Sequence, residues 1–432
     1  MKEWLKVTLL LCAFGTLREI RPSEPFVSEF LLGEWRNITD VQLNRDVYPV
    51  GTYSYLALLV VVFLVTDFLR FKPIIILSGI SGIIVYAILL WTKSLEWLQV
   101  TQFFYGMYMA TEVAYLTYIY AKVDPDKYPI VSSYTRMAAL AGRFLSGVTA
   151  QILVYFSLMN LRDLNYITFT AQILATFWAF WLPRVKYGIY FHRKKSFINS
   201  IQFNMNAPIE KQISVEPDSK RSMRDDFIEA STLIARHSRL AYSRPTLIAW
   251  SLFYAAALAL FVQAQIYMQL LWSEIQDQCK EPIMFNGGVE ALTTLFGAGG
   301  AYLASVFRPG FIVGPVTAIQ ALAMFAATYP MNIYASYTGY TIVGVLFHYT
   351  ITLASAKIAS QLSDESCFGL IFGINTLIGT AIQSLLTFVL ISENALALSI
   401  PSQYLVISGL YAVLSAAWFI GWIVVYFRRK SV

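Results

Sequence analysis

Charge is scarce in this chain. Only 13% of its 432 residues are Asp, Glu, Lys or Arg, about half of the roughly 25% that a soluble domain carries. The length alone would suggest about three soluble domains, but so little charge cannot cover their surfaces. Histidine and cysteine are rarer still, at three each. His192, His237 and His348 stand far apart, and Cys12, Cys279 and Cys367 show no zinc-ligand spacing. Neither a metal site nor a disulfide framework is therefore expected, and no cofactor. There is no nucleophile–base pair and no phosphate loop, so an enzyme is not expected. A channel would want a repeated selectivity motif, which is absent. The net charge of +6 does not make the chain a nucleic-acid binder, because 57% of its residues are hydrophobic and 16% aromatic. That composition points to a single all-α polytopic membrane domain.

A bilayer core takes about 20 mainly apolar residues per helix. Twelve segments qualify: 5–31, 51–69, 73–92, 97–121, 131–156, 163–183, 246–271, 287–308, 310–329, 332–357, 367–391 and 401–427. Asp124-Pro125-Asp126-Lys127 reads as a turn. The first segment differs from a signal peptide, because Arg18, Glu19, Arg21 and Glu24 occupy the place of a cleavage site. It reads as a retained helix broken by Pro22 and Pro25. The one long connection, 184–245, divides the chain into six-helix bundles at 1–183 and 246–432. Such halves place a substrate site at the midplane between them.

Arg70, Lys72, Lys122, Lys127, Arg308 and Arg428-Arg429-Lys430 all fall on one side of a twelve-span chain. That side, with both termini, is expected to be cytoplasmic. The linker bases Arg184, Lys186, Arg193, Lys194, Lys195, Lys220, Arg221 and Arg224 fall there too, either as a solvated linker or against anionic lipid. The sole glycosylation sequon, Asn37-Ile38-Thr39, falls in the first outer loop, which agrees independently.

Ionisable residues inside the spans are costly and so point to function. Glu112 lies mid-span with Tyr105, Tyr108 and Tyr115 on the same helical face. A carboxylate among aromatic rings suits an organic cation; the alternative is a Glu paired to a neighbouring Arg. Arg143, with Arg136 seven residues earlier, is either that partner or the ligand of an anionic substrate. Arg21 and Glu24 lie at the proline break and are expected to face a central cavity; the alternative is an internal salt bridge. Glu290 lies near the outer side, as a substrate contact, gatekeeper or cap. His348 and Lys357 read as packing and snorkelling residues. Gln263, Gln265, Gln269, Asn375 and Gln383 supply hydrogen-bonding walls. Asp67, Arg70 and Lys72 form an acid-x-x-Arg-x-Lys pattern that resembles the loop between helices two and three of major facilitator transporters.

Several stretches together resemble the reduced folate carrier and thiamine transporter family, solute carrier family 19, including its nematode folate-like members. They are Ile20-Arg21-Pro22-Ser23-Glu24-Pro25-Phe26, Leu31-Leu32-Gly33, Asn37-Ile38-Thr39, Tyr48-Pro49-Val50, Thr52-Tyr53-Ser54-Tyr55-Leu56 and Thr66-Asp67-Phe68-Leu69-Arg70. Further on come Phe103-Phe104-Tyr105-Gly106-Met107, Trp250-Ser251-Leu252, Leu271-Trp272, Asn286-Gly287 and Phe372-Gly373-Ile374-Asn375-Thr376. The resemblance spans nearly the whole chain. It implies a twelve-helix major facilitator fold and alternating-access uptake of a water-soluble vitamin at the plasma membrane; the sequence leaves open proton coupling, through Glu24 or Glu112, and exchange for a counter-anion. Glu112, Gln383 and Glu290 resemble the thiamine branch, where folate carriers have Arg, Lys and Asp. Arg143 departs from that branch, which has an aromatic residue there. Three readings follow: a thiamine or folate-like vitamin transporter with thiamine favoured, a carrier of folate or another organic anion through Arg143 and Arg136, and a binding protein that keeps the fold without transport.

Overall fold

The computed structural model describes residues 2–123, 127–185, 191, 223–279, 284–362 and 367–430. The expected turn at 124–126 and the linker bases Lys186, Arg193, Lys194, Lys195, Lys220 and Arg221 lie outside the described residues. The described part is helical throughout, with no strand among the described residues.

The first half comprises α1 (Glu3–Glu19), α2 (Val27–Leu32), α3 (Asp40–Gln42), α4 (Tyr48–Phe68), α5 (Lys72–Trp91), α6 (Leu95–Ala110), α7 (Glu112–Lys122), α8 (Tyr128–Tyr155) and α9 (Leu161–Ala179). A linker helix, α10 (Met223–Ala241), follows. The second half comprises α11 (Pro245–Cys279), α12 (Asn286–Val306), α13 (Val313–Thr328), α14 (Ile333–Ala359), α15 (Phe368–Ile391) and α16 (Ile400–Lys430). Together α1 with α2, and α6 with α7, each make one interrupted passage, so each half contributes six.

Nine of these passages, among the described residues, are long and apolar enough to cross a membrane unaided. The other three carry a break or charge. The first is interrupted between Glu19 and Val27, the fourth at Thr111, and the sixth, α9, opens with Arg162 and Asp163. Membrane helices tolerate such features where neighbouring protein re-satisfies the backbone.

The break in the first passage shows how. Pro22 has no N–H, so the carbonyl of Arg18, four residues earlier, loses its helical partner. Tyr108 Oη donates to that carbonyl at 3.0 Å and Gln172 Nε2 at 3.1 Å. Downstream, Arg21 N donates to Ser146 Oγ at 2.9 Å, and Ser23 N to Thr168 Oγ1 at 3.3 Å. Three neighbouring passages thus hold the broken helix.

The turn between α4 and α5 is tight. Arg70 and Phe71 both adopt positive φ, 61° and 66°, which is costly for side chains of this size. The flanks pin it. Asp67 Oδ2 accepts from Phe191 N at 2.7 Å, and Lys72 Nζ donates to the Phe180 carbonyl at 2.6 Å. Of the expected latch, Asp67 therefore engages the start of the linker and Lys72 the end of the sixth passage.

At the opposite end, which carries Asn37, the C-terminal carbonyls of α5 are capped by arginines, as its dipole favours. Arg36 donates to the Ile88 carbonyl at 3.0 Å, and Arg162 to that of Leu90 at 3.1 Å. Burial lowers the Arg36 pKa to about 10, so it stays charged at neutral pH. Arg162 also lies 3.5 Å over the Trp35 ring.

The halves meet along two seams, α8 against α12 and α4 against α15. In the first seam two glycines face each other. A Cβ on Gly147 would stand 2.7 Å from the Gly287 carbonyl oxygen, and one on Gly287 would stand 2.8 Å from that of Gly147. Backbone on both sides cannot yield. Gly147→Val is expected to cost about 1–3 kcal/mol by overpacking and to lower the unfolding temperature of the detergent-purified protein. Gly299→Ala, where a Cβ meets nothing within 4 Å, should leave it unchanged or raised.

Candidate functional site

The proline break delivers four charged residues, Arg18, Glu19, Arg21 and Glu24, to the centre of the first half. Glu19 is their hub. Its Oε2 accepts from Arg143 Nε at 2.6 Å and from Arg21 at 2.8 Å, while its Oε1 accepts from Arg18 at 2.9 Å. Arg21 also pairs with Glu24, and Arg18 lies 3.6 Å from Glu112. Three arginines and three glutamates thus form one connected set drawn from the first, fourth and fifth passages. Arg18, Glu19 and Arg21 are buried. Burying charge is expensive unless each is paired and hydrogen-bonded; every charge of the set has an opposite partner, while Arg18 Nε and Arg21 Nε are buried without a hydrogen bond.

A cavity of about 260 Å³ opens beside this network. Glu19, Arg21, Glu24, Tyr105 and Arg143 line it from the first half; Gln265, Gln269, Glu290, Tyr340 and Gln383 do so from the second. Tyr86 and Trp272 add aromatic wall. The cavity therefore lies between the halves, with the polar network on one flank.

The sequence-derived candidates divide into groups. Arg21, Glu24, Tyr105, Arg143, Glu290 and Gln383 share the cavity. Tyr105 Oη donates to Glu24 Oε1 at 3.1 Å, and Gln269 Nε2 donates to the Glu24 carbonyl at 2.7 Å. Gln263 stands behind the wall, its Oε1 accepting from Thr387 at 2.8 Å and from Gln383 at 3.4 Å.

Glu112 and the tyrosines do not make a single wall. The helix is interrupted at Thr111, where α6 ends and α7 begins. Tyr108 is buried, and the Arg18 guanidinium lies 4.3 Å from its ring centroid. The cation–π position on that ring is thus filled by the protein's own arginine. Tyr115 turns its hydroxyl to the Leu11 carbonyl at 3.3 Å, within the packing against α1. Glu112 keeps 27% of its side-chain exposure and is not among the residues lining the cavity.

Arg143 bonds Glu19, a pairing that the spacing of the spans gave no means to foresee. Its side chain stays 34% exposed, and among the described residues Nε is its sole atom in a protein hydrogen bond. Glu290 makes no ion pair or protein hydrogen bond among the described residues, and it interacts electrostatically with Arg143 and Glu24. His348 packs by Phe261 and Phe347. Arg136 is exposed. Among the described residues, no group of three or more metal-ligating side chains could hold a metal ion.

Arg18 and Glu19, which the sequence marked only as charges in place of a cleavage site, were not among the expected site residues. The available signal was the proline three residues after Glu19: a freed turn inside a membrane needs polar partners.

Comparison with known proteins is consistent over the whole chain. The family described as Reduced folate carrier matches residues 2–406. Human "Thiamine transporter 1" is 34% identical over 445 residues, covering 95% of this chain and 88% of that protein. "Folate transporter 1" of Caenorhabditis elegans is 32% identical, covering 99% and 94%. Among solved structures, a POT family transporter in complex with 5-aminolevulinic acid superposes with a TM-score of 0.65 at 11% identity, covering 98% and 96%. At that identity the likeness shows the fold, which is that of a major facilitator transporter.

The network predicts its own sensitivity. Glu19→Gln leaves three arginines short of an acid and is expected to destabilise the protein by about 3–5 kcal/mol. Adding Arg143→Gln should recover part of that loss by removing one stranded cation. Thermal unfolding of the single and double variants measures the coupling.

Proposed function

The chain belongs to the reduced folate carrier family, and from that premise we propose that it is a secondary-active vitamin transporter working by alternating access, with thiamine favoured over folate. One observation carries the preference. Each arginine of the cavity network is matched by a glutamate, and Glu290 is one acid more. With Glu290 ionised the cavity carries an excess negative charge, which suits a cationic vitamin better than a dicarboxylate. Its volume of about 260 Å³ is near the lower end of the range for small-ligand sites, roughly 300–1,000 Å³. That favours the smaller vitamin. Similarity to the human thiamine transporter supports the same reading.

In this proposal Glu290, Glu24 and Tyr105 meet the cation, Tyr86, Trp272 and Tyr340 supply aromatic surface, and Gln265 and Gln383 give hydrogen bonds. Glu112 acts beside the cavity through Arg18. Asp67, Arg70 and Lys72 steady the inner ends of the helices. The proposal places the chain in the plasma membrane with both termini in the cytoplasm, and leaves the work of uptake to a proton or an exchanged counter-anion. Asn37, exposed in the outer loop with φ of 53°, is its glycosylation site.

A second reading rests on Arg143, whose terminal guanidinium nitrogens make no protein hydrogen bond among the described residues. It takes an anionic vitamin on that side chain. Uptake of radiolabelled thiamine and folate by cells expressing the chain separates the two. Glu290→Gln is expected to cut thiamine uptake at least about tenfold, the loss of roughly 1.4 kcal/mol of binding, and Glu112→Gln to lower it as well. Uptake that folate blocks and thiamine does not, and that Arg143→Leu abolishes, would favour the anion. Binding by the purified protein without net flux in liposomes would favour a receptor. Asn37→Gln should remove a glycosidase-sensitive shift on a gel, which tests the topology separately.

A further inference from the structure

Glu29 lies in α2, one short turn beyond Glu24, and the vitamin site makes no use of it. Its Oε1 accepts from Asn286 Nδ2 at 2.7 Å, across the seam between the halves. The residues behind Asn286 fix the direction of that bond. The Tyr337 hydroxyl accepts from Phe285 N at 3.3 Å and from Gln276 Nε2 at 3.4 Å, so its single proton goes to Asn286 Oδ1 at 2.8 Å. The Asn286 amide nitrogen is then the atom left to face Glu29.

The other oxygen, Oε2, is closed to solvent and has no hydrogen-bond partner. No cation lies within ion-pair distance of Glu29 among the described residues. The titratable groups around it are tyrosines. Tyr48 at the start of α4 bonds Ser28 Oγ at 2.7 Å, and Tyr337 comes from α14. From α11 comes neutral Gln269, whose Oε1 accepts from Ser28 N at 3.0 Å. The charged pair of α9 is engaged elsewhere, Arg162 on Trp35 and Asp163 on the Asn160 amide. On its own passage the nearest charges, Glu24 and Arg21, pair with each other.

A carboxylate met only by neutral donors, with no counter-charge and one oxygen sealed from water, is far costlier to bury than the neutral acid. We propose that Glu29 is a proton-binding site in the seam, neutral while the halves are closed at the Asn37 end and ionised when they part. Parting breaks the bond to Asn286 and admits water to Oε2. Each closure then takes one proton from that side, and each opening releases one. The proposal rests on the alternating-access reading above, but not on the identity of the vitamin.

The sign follows from linkage. The closed state binds the proton more tightly, so acid favours closure and rising pH favours opening. Above the ordinary glutamate value of about 4.3, the ratio of closed to open should rise by up to about tenfold for each unit that pH falls.

Spin labels test this without substrate. Val41 and Leu396 are both exposed, at 58% each, and stand on opposite halves at this end. The full chain, with its three cysteines replaced and labels at Val41→Cys and Leu396→Cys, is placed in lipid nanodiscs. Distances between the labels are measured by pulsed electron resonance from pH 5 to pH 8. Closed populations should grow as pH falls in the parent, and Glu29→Gln should stay closed at every pH. Glu29→Ala, which also lacks the acid, should show no pH dependence either. A parent that ignores pH, or a Glu29→Gln variant that keeps the parent's pH response, overturns the proposal. Initial thiamine uptake against external pH is run in parallel. Absent uptake counts against the vitamin assigned above, while the label distances still decide the role of Glu29.

Discussion

The structure turns on one carboxylate. Glu19 sits at the end of α1, where the helix must stop because Pro22 cannot continue it, and binds three arginines from two passages. Without it, Arg18 and Arg21 would be buried cations short of a counter-charge. With it, an interrupted helix becomes the anchor of the first half. The same break frees the Arg18 carbonyl, which engages Tyr108 and Gln172. Charge pairing and backbone satisfaction are therefore solved together at one depth in the membrane.

That solution shapes the cavity. Charges tied to one another are rigid and already neutral as a set, so they form a polar wall with little net attraction for a solute. Two charged groups are left over. Glu290 on the facing half makes no ion pair or protein hydrogen bond among the described residues, and Arg143, which lines the cavity, has terminal nitrogens in no protein hydrogen bond among them. Both lie beside the α8–α12 seam, where Gly147 and Gly287 bring the backbones together. In the proposed transport cycle, a solute held between the halves would meet these two residues where the halves touch.

The limits of sequence reading are visible residue by residue. The face shared by Tyr105, Tyr108, Glu112 and Tyr115 follows from ideal helix geometry, and each of these residues does lie in or near the charged centre. The interruption at Thr111 and the neighbouring α1 then divide their tasks. Tyr105 reaches the cavity, Tyr108 serves Arg18, and Tyr115 packs on Leu11. In the sequence Arg143 offers two readings, a partner for Glu112 or a ligand for an anion, and neither names Glu19. Its partner lies 124 residues away on another passage, and no spacing rule reaches that far.

What the sequence determines by itself is the solvent and the count of crossings. Scarce charge, long apolar runs and two prolines set three apart dictate a helical membrane protein with an interrupted first passage, because a bilayer tolerates no unpaired backbone. The residue types at the candidate positions likewise mark a vitamin-carrier family. Pairing was decided by tertiary structure alone. Which acid holds which arginine, which tyrosine ring is left for a solute, and which carboxyl loses its water when the halves close depend on distances between helices remote in sequence. Electrostatic energies in a dry interior change steeply with those distances, so only the assembled bundle can choose among charges that the sequence presents as equals.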